Sequence, residues 1–231
     1  MKIALIGTGN MGEIVDSFAR RAGHGVTVSI DESQRGLSAT DLAAVLSGVD
    51  ATIDFSASAA VLRNVEGCMM AHVPLVEGTT GWNDQLGTVR ELVTQHDGVF
   101  VYGANFSIGV NLFYRVTEFA ADLFSRFRDY EAFIEEQHHS RKKDAPSGTA
   151  LKLKEIVARH TDKPFGVSST RAGNIPGTHR VGFDGPTDQV LLEHVARSRE
   201  GFAAGAMMTA EWIVNKKGIY EFSEVMDEIL S

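Results

Sequence analysis

The sequence predicts an α/β fold in two parts: a doubly wound domain on a parallel sheet, then an α+β domain whose sheet is mostly antiparallel. Three observations predict it. Short β-rich apolar runs alternate with segments of helical period through roughly the first hundred residues, the pattern of βαβ units. The first run ends in a glycine-rich turn, IGTGNMG from Ile6, that opens a helical segment. Beyond Asn105 the alternation stops, and one long helical stretch leads into several strand-like segments. The first part is therefore of Rossmann type.

In chain order, the predicted strands of the first part are Lys2 to Gly7, Val26 to Ile30, Ala51 to Phe55, Pro74 to Glu77 and Val99 to Tyr102. Between the first two, Met11, Ile14, Phe18 and Ala22 recur at helical spacing and stop at Gly23; Leu86, Val89, Leu92 and Val93 do the same before Gly98. Ser107 is an N-cap candidate for a helix reaching about Arg126, marked by the apolar stripe Leu112, Val116, Phe119, Leu123 and Phe127. This helix reads as the bridge between the two domains. From Tyr130 the segment YEAFIEEQHH is strand-like, a helix follows with Pro146 in its first turn and an end near His160, and β-leaning stretches continue through Val195. The tail is read as helical, with Phe202, Ala206, Ala210 and Ile213 on one face, Gly218 as a stop, and SEVMDEIL as a last helix.

Composition narrows the function. A formal net charge of −8 argues against nucleic-acid or anionic-membrane binding, which rest on excess Lys and Arg. A single cysteine, Cys68, makes no internal disulfide, no Cys/His spacing suits a metal, and a reducing cytoplasm fits. The apolar run after Lys2 is short and breaks into glycines, so it predicts a strand rather than a signal peptide, and no run approaches the ~20 residues of a membrane span. Small molecules are the expected partners.

The glycine turn has the context that dinucleotide binding requires. Gly7 permits the tight turn, Gly9 removes the Cβ that would block a pyrophosphate, and Gly12 lets helix and strand pack closely. Phosphates would then meet the helix N-terminus, where amides and dipole favour an anion. Asp31 ends the second strand roughly 20 residues on, where an acid meets the ribose 2′-hydroxyl. Glu32 follows it, where a 2′-phosphate would want a cation, so the pair favours NADH, with NADPH as the alternative. GTTGW from Gly78 and GANFSIGVN from Gly103 end the fourth and fifth strands, on the side where ligands bind in such sheets; Thr79 and Asn105 offer polar groups there, or merely turn chemistry.

The segment HHSRKKDAPSGT, from His138 to Thr149, concentrates cations in an acidic chain and so points to an anionic substrate. Ser147, Gly148 and Thr149 open a helix, whose amides, hydroxyls and dipole make a cradle for a carboxylate. A histidine is the natural proton donor near neutral pH, and a nearby lysine can bind an acid group or assist the transfer. His138 and His139 share one pocket only if their strand ends or bends between them. A different Rossmann reductase, such as an amino-acid dehydrogenase, and a non-catalytic NAD-sensing module are the competing readings.

Together these residues resemble the 4-hydroxy-tetrahydrodipicolinate reductase (dihydrodipicolinate reductase) family. The glycine loop, GTTGW, ANFSIGVN, HHSRKKDAPSGTA, RAGNIPGTH and the block from Trp212 to Leu230 follow the family's order, and HH, then K, then DAPSGTA is highly specific. The resemblance implies that His138 is the proton donor and acceptor and Lys142 a second proton donor, with His139, Ser147, Gly148 and Thr149 as substrate ligands. It implies cofactor contacts from Gly7, Thr8, Gly9, Asn10, Met11, Gly12, Asp31, Gly78, Thr79, Thr80, Gly103, Ala104, Asn105 and Phe106, and no metal. It also implies a dinucleotide domain of residues 1–106 with 199–231, a substrate and oligomerisation domain of 107–198, a dicarboxylate substrate and a homotetramer. The chain departs from many members in having a shorter first loop, with Asn10 where they carry an arginine, and Glu32 where some place an arginine for NADP. The expected reaction is reduction of 4-hydroxy-tetrahydrodipicolinate by NAD(P)H in lysine and diaminopimelate biosynthesis, with both domains closing over the ligands.

Overall fold

The computed structural model describes residues 1–34 and 36–231, which form two compact units, Met1–Ser107 with Arg199–Ser231, and Ile108–Ser198. The first unit begins with β1 (Lys2–Ile6), α1 (Asn10–Arg21), β2 (Gly25–Ile30) and α2 (Ala39–Leu46). It continues with β3 (Ala51–Asp54), α3 (Val61–Met70), β4 (Leu75–Glu77), α4 (Leu86–Gln95) and β5 (Val99–Tyr102). The second unit holds α5 (Ile108–Ser125), β6 (Glu131–His138), α6 (Gly148–Ala158), β7 (Gly166–Arg171), β8 (Thr178–Asp184) and β9 (Gln189–Val195). The chain then completes the first unit with α7 (Glu200–Trp212), β10 (Gly218–Glu221) and α8 (Phe222–Leu230).

Every strand pair of the first unit is parallel, in the order β10-β5-β4-β3-β1-β2. The strands are apolar runs because a parallel sheet is covered on both faces. Leu42 and Leu46 of α2, Val61, Val65 and Met69 of α3, and Val89 and Val93 of α4 bury one face together with Ala4, Ile6, Leu75 and Phe100. Helices α1 and α7 pack against each other, and α7 also lies on β3 and β4. The winding reverses where β1 lies between β2 and β3, and ligands in such sheets bind off the strand ends at that reversal.

The second unit is a four-stranded sheet, β7-β6-β8-β9, parallel only between β6 and β7. Phe113 and Ala121 of α5, and Leu153 and Val157 of α6, pack on Ile134, Val181 and Phe183 of the sheet. Both the parallel first sheet and the mostly antiparallel second one thus match the fold class read from sequence.

Three local readings are corrected. Gly218 does not stop a helix; α7 ends at Trp212, and Gly218, at φ +101°, enters β10, a sixth strand paired with β5 from Gly218↔Val99 to Glu221↔Tyr102. Four residues, GIYE, were too few to stand out between two helical patterns. Pro146 is not in the first turn of α6: Ser147 is the N-cap, accepting from the Ala150 amide at 3.2 Å, so the helix opens at Gly148. The apolar stripe of α5 is not its packed side, since Phe119 and Phe127 are 66% and 62% exposed while Phe113, Thr117 and Ala121 are buried. This helix is apolar on two sides, and period alone does not say which one meets the sheet.

Candidate active site

The first unit contains an open cleft of about 680 Å³, lined by the ends of β1, β2 and β3: Gly7, Thr8, Gly9, Asp31, Ser33, Phe55, Ser56 and Arg63 are among its walls. Its position is the reversal of winding, and its size suits a nucleotide. Gly7 has φ +87°, and a Cβ there would lie 2.4 Å from the Phe55 carbonyl oxygen; at Gly12 it would lie 2.0 Å from that of Gly7. Gly9 is the N-cap of α1, and a Cβ on it would meet nothing within 4 Å, which leaves the helix N-terminus open to a ligand. Asp31 Oδ1 accepts from the Ser33 amide at 2.8 Å and its hydroxyl at 2.5 Å, and these bonds lower the Asp31 pKa.

Around this cleft the residues read from sequence divide. Gly7, Thr8, Gly9 and Asp31 are in its walls, and Asn10, Met11 and Gly12 form the first turn of α1 behind it. Gly78, Thr79 and Thr80 follow β4, and Gly103, Ala104, Asn105 and Phe106 follow β5, the next strands along the sheet. Asn105 Oδ1 accepts from the Ser107 amide at 2.9 Å, an Asx turn. Phe106 is buried, with its ring 4.7 Å from that of Phe222 and 6.3 Å from that of Phe55, a cleft wall. Arg63, on α3, is a wall of the cleft that the sequence reading did not single out; nothing in a lone helical arginine marks it in advance.

In the second unit, the focus is Glu136, a fully buried carboxylate on β6. Arg171 on β7, the register partner of His138, donates Nη1 to Oε2 of Glu136 at 2.9 Å and Nη2 to Oε1 at 2.6 Å. The Ser147 amide donates to Oε1 at 3.2 Å, and His138 Nδ1 lies 2.5 Å from Oε2. Burial pushes the Glu136 carboxyl up, but the hydrogen bonds from Arg171, Ser169 and His138 outweigh it and hold the carboxyl at about 2. An ionised carboxylate only accepts, so His138 must donate from Nδ1, which directs Nε2 away from the pair. Burial lowers the His138 pKa, Glu136 raises it, and Lys142 and Arg171 lower it; the outcome is a neutral imidazole in the free protein.

What surrounds Nε2 comes from other elements. Gly177, at φ +142°, leads into β8, and a Cβ there would sit 3.2 Å from His138 Nε2, so its absence keeps that nitrogen clear. The His179 ring lies edge-on to His138 at 5.1 Å, and its Nε2 is 3.0 Å from Ser147 Oγ. Burial and the neighbouring His138 push His179 down to about 4, so it too is neutral. Strand β6 ends at His138, and His139 begins the following loop; the ring packed on His138 is that of His179. Lys142 pairs with Asp144 at 2.9 Å, and Arg171 also donates to the Asp144 carbonyl at 2.6 Å, tying the loop to the same clamp.

The cradle at α6 is present in part. A Cβ on Gly148 would meet nothing within 4 Å, and Thr149 follows it in the first turn, its side chain hydrogen-bonded to Tyr114. Ser147 Oγ, by contrast, accepts from the Ala150 amide and lies 3.0 Å from His179 Nε2, so this hydroxyl also braces the site. Oxygen and nitrogen atoms of Glu136, His138 and His179 lie within 4.8 Å of one another, a spacing a metal could bridge. Arg171 already holds the Glu136 carboxylate, and its charge opposes a divalent ion, so the arrangement suits proton handling. Glu136, Arg171, Gly177 and His179 were not singled out as site residues, although EEQHH and RAGNIPGTH were both noted. Only the β6–β7–β8 pairing brings them together.

Residues 1–106 match the family model described as dihydrodipicolinate reductase, N-terminus, and residues 109–226 match dihydrodipicolinate reductase, C-terminus. A 4-hydroxy-tetrahydrodipicolinate reductase from Christiangramia forsetii is 33% identical over 241 residues, covering 99% of either chain. One from Archaeoglobus fulgidus is 33% identical over 265 residues, covering 98% of this chain and 100% of that one. A solved dipicolinate-bound dihydrodipicolinate reductase from Paenisporosarcina sp. TG-14 aligns at a TM-score of 0.78 and 21% identity, over 97% of this chain and 99% of that one, and shares its fold.

Removing Arg171 would leave the buried Glu136 carboxylate without its guanidinium partner. Arg171→Met is expected to lower unfolding free energy at pH 7 by about 3 kcal/mol, read by urea denaturation. Because the Glu136 pKa is lowered from 4.5 to about 2, its stabilisation is complete above the higher value and is lost as pH falls toward the lower one. The gap between wild type and variant should therefore narrow in acid. Equal stability at pH 7 would refute the clamp.

Proposed function

The chain belongs to the dihydrodipicolinate reductase family, and from that premise we propose that it reduces 4-hydroxy-tetrahydrodipicolinate to tetrahydrodipicolinate with NAD(P)H, in diaminopimelate and lysine biosynthesis. One observation carries the reading at the level of residues: His138, held through Nδ1 by an ionised Glu136, keeps Nε2 clear under Gly177. The competing readings, an amino-acid dehydrogenase or an NAD-sensing module, have no use for this arrangement beside a helix N-terminus.

The open backbone at Gly9 and the glycine turn fit a dinucleotide pyrophosphate, with Gly7 to Gly12, Asp31, Gly78 to Thr80 and Gly103 to Phe106 as the proposed cofactor segments. Reduced nicotinamide, when bound, supplies the hydride. The substrate loses its 4-hydroxyl as water, its ring accepts the hydride at an unsaturated carbon, and the neighbouring carbon takes one proton. His138 provides that proton. Burial first, and the nearby cations Lys142 and Arg171 after it, keep His138 neutral in the free protein. A dicarboxylate bound against Lys142 offsets those cations and raises the His138 pKa, so that Nε2 gains a proton as substrate binds. Lys142 exchanges Asp144 for the substrate carboxylate and is the second donor. His139 and the amides of Gly148 and Thr149 hold the dicarboxylate, the latter two helped by the α6 dipole, while Ser147 keeps the cap in place.

In purified protein, His138→Gln should lower kcat by about 10²- to 10⁴-fold while the Kd for NADH, read by fluorescence titration, stays within about twofold; unchanged turnover would remove His138 as the acid.

Cofactor preference rests on Asp31 and Glu32, two carboxylates beside the cleft that favour NADH; Arg63, in the same wall, is a cation that an NADPH alternative would use. Glu32→Arg should raise kcat/KM for NADPH by about tenfold, the effect of one charge-assisted hydrogen bond, and no change would take Glu32 out of the argument.

A homotetramer is the proposed assembly, supported by the exposed apolar side chains of the second unit: Phe119 on α5, Phe127 just beyond its end, Leu151 on α6, Leu191 and Val195 on β9. Covering each large one contributes about 1.5–3 kcal/mol. Sedimentation of Phe119→Glu should show smaller species than wild type, and an unchanged assembly would place the interface elsewhere. Among the described residues no helix is long and apolar enough to cross a membrane, and with its one cysteine buried we assign the chain to the cytoplasm.

A further inference from the structure

The first unit buries two carboxyl groups that the reaction does not use. Asp54 ends β3 and Glu77 ends β4, they are register partners in the sheet, and both are inaccessible to solvent. Asp54 Oδ1 accepts from the Ser56 amide at 2.8 Å, and Oδ2 accepts from Asn64 Nδ2 at 2.6 Å. Glu77 Oε1 accepts from the Thr79 amide at 2.7 Å. Among the described residues Glu77 Oε2 has no N–H or O–H partner, and its carboxyl is within hydrogen-bonding reach of Asp54. Two ionised carboxylates in that position would repel without screening, so one proton must bridge them. Asp54, with two N–H donors, is the better supported anion; Glu77 carries the proton.

This pair holds the cofactor cleft from behind. The Ser56 amide is shared between Asp54 and Thr79 Oγ1, the latter at 3.1 Å, and Ser56 is a cleft wall. Asn64 donates to both Asp54 and Ser56 Oγ, and accepts from Arg63 Nη2 at 2.7 Å, so a second wall residue hangs on the same network. The turn after β3 is packed on both sides, against Gly7 through the Phe55 carbonyl and against Gly78 through the Phe55 ring. The turns after β3 and β4 are thereby joined through two carboxyl groups and one proton.

We infer that the Asp54–Glu77 pair is the positioning device of the dinucleotide cleft: the proton bridging the two carboxyls locks the turns at Ser56 and Thr79 in the conformation that binds cofactor. Loss of that proton sets two anions against each other and loosens both turns, so cofactor affinity falls in alkali. The inference rests on the reading of the cleft as the dinucleotide site. Among the described residues, the ionisable groups near the pair include Cys68 and Arg63 on α3 and Tyr102, the register partner of Glu77 on β5. Cys68 is buried and its pKa is pushed up, so the thiol stays neutral. Burial and the Asp54 charge raise Glu77 well above an ordinary carboxyl, in keeping with a retained proton.

The test is NADH affinity from pH 6 to 9.5, by fluorescence titration of the full chain. Wild type should lose affinity once the pH passes the Glu77 ionisation, by up to about tenfold per further pH unit. Glu77→Gln donates to Asp54 as the protonated acid does and still accepts from Thr79, so it should match wild type at pH 7 and bind independently of pH. Glu77→Leu fills the volume without either hydrogen bond and should bind about tenfold more weakly throughout, with circular dichroism reporting that it is folded. A flat wild-type profile, a Glu77→Gln profile that falls with wild type, or a folded Glu77→Leu with full affinity overturns the inference. Wild-type protein that binds no NADH at any pH would overturn the cofactor reading itself.

Discussion

The carboxylate of Glu136 is the constraint around which the second unit is arranged. Removing an ion of this kind from water costs several kcal/mol unless its lone pairs are met by donors. Here four N–H donors meet it, two from Arg171, one from the Ser147 amide and one from His138. Each donor fixes something else. The Arg171 pair aligns β6 with β7 and holds the loop through the Asp144 carbonyl. The Ser147 amide places the start of α6, and His138 is turned so that its far nitrogen faces Gly177, where any Cβ would crowd it.

The two buried acid sites show how partners, rather than burial, decide ionisation. Burial disfavours the charged form in both. Glu136 has a guanidinium against it and stays ionised, which makes it an acceptor that fixes the His138 tautomer. Asp54 and Glu77 have one another and amide donors, with the guanidinium of Arg63 linked to Asp54 through Asn64. A shared proton is the cheapest way to keep both. In the roles we propose, one site handles a proton for chemistry and the other retains one for structure.

Glycine serves the two units in different ways. Gly7 and Gly12 are required because backbone oxygens occupy the place of a Cβ, whereas Gly9 and Gly148 face open space at helix starts. The first kind closes the turn, and the second leaves amides approachable to an anion. A motif match does not separate these roles; neighbouring atoms do.

Much of this was legible without coordinates. Alternating apolar runs and the glycine turn determined the parallel sheet, since period and turn chemistry are local properties of the chain. The HHSRKKDAPSGT segment likewise carried its histidine, lysine and helix start in one stretch. Strand β10 was hidden, because a four-residue strand takes its identity from the β5 edge it pairs with and not from its own pattern. The packed side of α5 and the core position of Phe106 depended on which apolar surface lay opposite. Only the tertiary structure could set Arg171 and His179 beside His138, or join Asp54 to Glu77. Such pairs lie on different strands, and their charge states follow from distances and burial that no local pattern contains.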